Sequence, residues 1–122
     1  MAKMQIEWSK LIPLKKENIQ ELPTSGGVYR LSKKSEDGKY YVFFVGSAED
    51  LKNKLLTHLS EKEPNVRLKQ LLSQPGDFVF RYAIVAERSA QQAIEKQMYR
   101  HYIPEYNPEE PKSSLDIEAN LN

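Results

Sequence analysis

The chain has no cysteine. That absence excludes disulfides, thiolate metal sites and a cysteine nucleophile, and it fits a reducing compartment. It also lacks any apolar run approaching the roughly 20 residues of a membrane-spanning helix. The start, Met1-Ala2-Lys3-Met4-Gln5-Ile6, has no apolar stretch of the kind found in secretion signals, so a soluble, cytoplasmic protein is expected. Net charge is scarce too, at +1, which argues against strong attraction to a polyanion. Its distribution is uneven. Residues 105–122 carry Glu105, Glu109, Glu110, Asp116 and Glu118 against Lys112, a net of -4, which leaves +5 on residues 1–104. A mildly basic body bears an acidic tail.

What is present suits one domain with a single core, the chain being 122 residues long. Lys15 to Leu22 reads as a short helix stopped by Pro23, and Ser25-Gly26-Gly27 turns into a first strand, Val28 to Ser32. Glu36-Asp37-Gly38 is a hairpin signal, because Asp-Gly tolerates the positive φ such turns need. The partner strand, Tyr40 to Val45, is nearly all apolar or aromatic, so it is expected to be central and covered on both faces. Gly46 is expected to end it, and Ser47-Ala48-Glu49-Asp50 to open a helix with acidic residues in its first turn and a stripe of Leu51, Leu55 and Leu59. A second helix is expected from Val66 to Leu72. Phe78 to Val85 alternates as a third strand, and Ser89 caps a last helix, Ala90 to Tyr102, with Ala90, Ile94 and Met98 inward. Beyond Pro108 the composition turns polar, and disorder is expected there. The pattern is α+β, three strands with helices before, between and after them, in one domain over residues 1–107 followed by the acidic tail.

Three residues on these elements suit phosphate-ester hydrolysis, which needs a group to manage water's proton, a cation, and a carboxylate for a metal. Tyr29, Lys54 and Glu95 supply them in that order. Glu95 follows Ile94, so it flanks the buried stripe of its helix, where a carboxylate needs compensation. Mg²⁺, or Mn²⁺, would provide that, and so would an ion pair with a lysine. His58 lies one turn after Lys54 on the same face and could pass a proton or simply pack.

Gly-Val-Tyr at 27–29, Phe-Val-Gly at 44–46, Asp50-Leu51-Lys52-Asn53-Lys54-Leu55 with His58 behind it, Glu95, and Pro104-Glu105-Tyr106-Asn107 together resemble the GIY-YIG nuclease superfamily, particularly its small single-domain bacterial members. The resemblance covers residues 26–107, leaving 1–25 as an N-terminal extension, and implies an α/β domain with a three-stranded antiparallel sheet flanked by helices and divalent-metal-dependent cleavage of DNA. It implies that Tyr29 helps activate water, that Glu95 holds the metal, and that Asn107 braces the site. Two positions depart from the family pattern. Phe44 replaces a tyrosine and cannot orient water; Lys54 replaces an arginine and cannot grip two phosphate oxygens at once. Ser47 stands where a longer polar side chain often reaches the substrate. Phe44, Ser47 and Asn107 are therefore expected at the substrate, with Tyr29, Lys54, His58 and Glu95 at the chemistry. The competing expectation is a module that binds nucleic acid or protein without cutting.

Overall fold

A computed structural model describes residues 2–122; Met1 lies outside them. In chain order the elements are β1 (Ala2–Met4), β2 (Ile12–Pro13), α1 (Lys16–Ile19), β3 (Gly27–Lys34), β4 (Tyr40–Ala48), α2 (Leu51–His58), α3 (Val66–Leu72), β5 (Phe78–Ile84), α4 (Arg88–Tyr102) and β6 (Ile117–Ala119). The main sheet runs β2-β5-β3-β4, and all of its pairings are antiparallel. It has four strands where three were expected. The extra one, β2, spans two residues, too few to show a period. Its Pro13 has no N–H for a ladder, so it sits at the sheet's edge.

β3 is the centre, and its alternation explains the layering. Tyr29 and Leu31 point to one face with Phe44 and Phe80, where Ile19, Leu51, Leu55 and Leu68 cover them. Val28 points to the other with Val45, Ala83 and Val85, under Ala90, Ile94 and Met98 of α4. A bulge between Leu31 and Ser32 shifts the pairing from Phe44 to Val42, so Phe43 and Phe44 are buried in the same cluster.

β4, expected to be central, is an edge strand, with Tyr40 and Tyr41 exposed at its start. It reads as central because a loop covers its free edge. Tyr106 N–H donates to the Phe43 carbonyl, and the Asn107 amide pairs with both Val45 N–H and Val45 C=O at 2.9 Å. The strand also continues past Gly46 to Ala48. Gly46 serves close approach instead of termination: a Cβ there would lie 2.4 Å from the Tyr29 Cζ and hydroxyl. Accordingly α2 starts only at Leu51, and Asp50 is its N-cap, accepting from Asn53 N–H at 3.1 Å.

The last helix begins at Arg88, two residues earlier than expected, and ends on Ile103, whose φ of 47° is left-handed, before Pro104. Beyond it lies the acidic tail, for which disorder is expected from sequence. The tail returns along α4 and pairs β6 in parallel with β1, burying Ala119. Side-chain amides take the place of missing neighbour strands. Gln97 bonds both N–H and C=O of Ala119, Asn120 does the same for Ile6, and Trp8 Nε1 donates to the Asn120 carbonyl. Under this clamp the buried Arg30 guanidinium lies 4.6 Å from the Trp8 ring and 5.3 Å from that of Tyr102, and donates to the Leu121 carbonyl. No helix among the described residues is long and apolar enough to cross a membrane.

Candidate active site

Two hydrogen-bonded chains of side chains flank β4, one on each face, where it carries Gly46 and Ser47. The first lies on the α2 face. β3 presents Tyr29 inward, Gly46 leaves room for its ring, and its hydroxyl is 2.6 Å from His58 Nε2. His58 closes the last turn of α2, and through Nδ1 it bonds the carboxylate of Glu63. All three are buried, Tyr29 completely.

The second chain lies on the α4 face. Ser47 donates its hydroxyl proton to Glu95 Oε1 at 2.5 Å and accepts from Arg88 at 3.0 Å. Arg88 also donates to Gln91, whose amide is anchored on the Val85 carbonyl. Arg88 and Glu95 are seven residues apart, two helical turns, and so share a face of α4.

Electrostatics link the two chains. Burial pushes the Tyr29 phenol well above its usual range; the Glu95 and Glu63 carboxylates push the same way, and Arg88 opposes them. Burial also raises the Glu95 carboxyl, against the Ser47 hydrogen bond and the charges of Arg88 and Lys54. His58 is pushed down by burial, with Glu63 opposing and Lys54 reinforcing. The shifts favour the neutral forms of the Tyr29 phenol, the His58 imidazole and the Glu95 carboxyl, the last opposed by the exposed cations Arg88 and Lys54.

The expected residues divide accordingly. Tyr29, Ser47, His58 and Glu95 take part directly in these chains, and Lys54 stands exposed one turn before His58 with its charge acting on both. Phe44, expected at the substrate, is instead enclosed in the core, its ring 6.3 Å from Tyr29 and 5.1 Å from His58. Asn107, expected there too, spends both amide groups on Val45, so it braces the strand that carries Ser47.

Two further residues emerge only from the structure. Arg88 was readable as a two-turn partner of Glu95, but starting the helix at Ala90 leaves it out. Glu63 follows His58 by five residues in an irregular loop, where no periodicity marks it.

The sheet and the helices packed on it match the fold of a GIY-YIG endonuclease domain, with four strands in the sheet where three were expected. The N-terminal endonuclease domain of UvrC from Thermotoga maritima, bound to its catalytic magnesium, matches with a TM-score of 0.57 at 22% identity, covering 75% of this chain and 93% of that domain. A point mutant of the same domain, also bound to its catalytic divalent cation, gives 0.58 at 20% identity, over 77% and 94%.

In sequence, the chain is 29% identical over 92 residues to UvrABC system protein C of Mycoplasma mycoides subsp. mycoides SC, and 27% identical over 89 residues to that of Shewanella loihica. These stretches cover 75% and 73% of this chain but only 15% and 14% of those proteins. No family model matches.

Proposed function

We propose that this domain is a divalent-metal-dependent endonuclease that hydrolyses DNA phosphodiester bonds in the cytoplasm. The observation that carries the reading is that a Tyr29–His58 pair and an Arg88–Ser47–Glu95 chain flank β4 at the successive positions Gly46 and Ser47, close enough for the Glu95 charge to act on Tyr29 and for exposed Lys54 to act on both His58 and Glu95. The likeness to endonuclease domains of UvrC supports the reaction class.

Glu95 is the residue that would hold the metal. Ser47 occupies its Oε1, and among the described residues no group of three or more His, Asp or Glu side chains forms an all-protein cage. That donor set fits Mg²⁺ or Mn²⁺, since Mg²⁺ binds through one or two carboxylates and completes its shell with water and phosphate oxygens. A bound divalent ion would supply charge neutralisation on the phosphate and on the leaving oxygen.

The protein's own residues do the rest. Lys54 and Arg88 place positive charge beside the phosphate. Neutral His58 accepts the Tyr29 proton at Nε2, and Tyr29 in turn takes a proton from the attacking water. The water oxygen bonds to phosphorus as the bond to the 3′ oxygen breaks. Tyr29 is enclosed in the free domain, so this step requires its hydroxyl to become accessible beside Gly46 when substrate binds.

The test is nicking of supercoiled DNA in Mg²⁺ and in Mn²⁺. The wild type should relax the plasmid, and a folded Glu95→Gln variant should not. A wild type that binds metal yet leaves DNA intact overturns the reading and leaves a non-cutting module.

A further inference from the structure

Glu63 is a buried carboxylate with no lysine or arginine bonded to it among the described residues. Its Oε1 meets His58 Nδ1, and its Oε2 accepts from Asn65 N–H at 2.8 Å. Asn65 is the N-cap of α3 and donates its amide to the Tyr106 carbonyl, so the Glu63 loop is tied to the segment that braces β4. With Oε2 accepting from Asn65 N–H, the ionised carboxylate can only accept at Oε1 as well, and the imidazole that complements it presents its proton on Nδ1.

We propose that Glu63 is a positioning residue that holds His58 as its Nδ1–H tautomer, so that Nε2 is free to accept the phenolic proton of Tyr29. The geometry makes the choice of tautomer decisive. With the proton on Nδ1, the 2.6 Å contact runs from the Tyr29 hydroxyl to Nε2, and His58 can take the proton. With the proton on Nε2, the same contact runs from His58 to the Tyr29 oxygen, and no acceptor remains for the phenol. When the proton moves, Tyr29 becomes a phenolate and His58 an imidazolium. The Glu63 carboxylate then faces a full positive charge, the arrangement by which an orienting acid supports a histidine base. This proposal rests on the nuclease reading for its consequence, but the tautomer is measurable without it.

The first measurement is the ¹⁵N spectrum of the two histidines in the full chain at neutral pH, with His101→Gln assigning His58. The wild type should show His58 as Nδ1–H. Glu63→Gln keeps an acceptor oxygen and should keep that tautomer, whereas Glu63→Leu should move the proton to Nε2. The second measurement is nicking in Mg²⁺. Glu63→Leu should lose at least tenfold in rate and Glu63→Gln should retain a clearly larger share, since wrong-tautomer variants of comparable relays lose far more than that.

A wild-type His58 protonated on Nε2 overturns the proposal even if Glu63→Leu fails to fold. So does an unchanged tautomer in Glu63→Leu, or equal loss of rate in two folded variants that differ in tautomer. If the wild type cuts no DNA, the nuclease reading fails and the spectra still decide the role of Glu63.

Discussion

Single side chains carry most of the consequence at the β4 edge, and Gly46 shows why. Its missing Cβ is the space that the Tyr29 hydroxyl occupies. Gly46→Ala should therefore push Tyr29 away from His58, costing about 1–3 kcal/mol as an overpacked core does. Urea denaturation would measure the loss, and nicking should fall with it. Lys54 poses the opposite case, because it is exposed and its effect is charge alone. Lys54→Arg restores a forked phosphate contact and should raise the nicking rate, while Lys54→Ala should lower it, with little change in melting for either.

His58 supplies a pH test with a definite sign. Its imidazole is held below the usual value of about 6.5 by burial, so on acidification the unfolded chain takes up the proton first. Its contribution to stability is complete above pH ~6.5 and is lost as the pH falls below that, at up to about 1.4 kcal/mol per pH unit. Denaturation midpoints at neutral and mildly acidic pH should show this slope in the wild type and a shallower one in His58→Gln.

Among the elements, α4 does the most, because it carries Arg88 and Glu95 on one side, packs Ile94 and Met98 on the sheet, and receives the tail through Gln97. Its end is strained. Ile103 adopts a φ of 47° while 77% exposed, a left-handed conformation that a β-branched residue resists. Ile103→Gly should relieve that strain and stabilise the domain by roughly 1 kcal/mol, since little buried apolar area is lost. A melting temperature a few degrees higher, with nicking unchanged, is the expected result; a lower one would show that the helix end depends on the isoleucine.

For the whole molecule, the two termini close the face opposite the Tyr29 cluster. Asn120 joins them, with two hydrogen bonds to Ile6 and one from Trp8. Asn120→Ala removes the side-chain pair and loosens the third, which should cost about 1–3 kcal/mol. Amide exchange should then quicken over residues 2–8 and 117–121, while the β3–β5 ladder stays protected.

Local chemistry was enough to define the hairpin at Gly38, the strands β3 and β5, the inward face of α4, and Leu51 and Leu55 of the α2 stripe, though Leu59, expected in that stripe, is exposed at the helix end and His58 is buried instead. Each is a repeat of two or of about 3.6 residues that neighbours in the chain impose. The same periods placed Lys54 and His58 on one face and Glu95 beside a buried stripe. The edge position of β4 and the return of the tail onto β1 followed a different logic. They depend on Asn107 reaching Val45 across 62 residues and Asn120 reaching Ile6 across 114, contacts between amides that carry no periodic signature. Glu63 belongs with these. It lies only five residues from His58, yet the turn that brings the two together is held by Asn65, Tyr106 and the packing of α3, so only the tertiary structure decides which way His58 faces its proton.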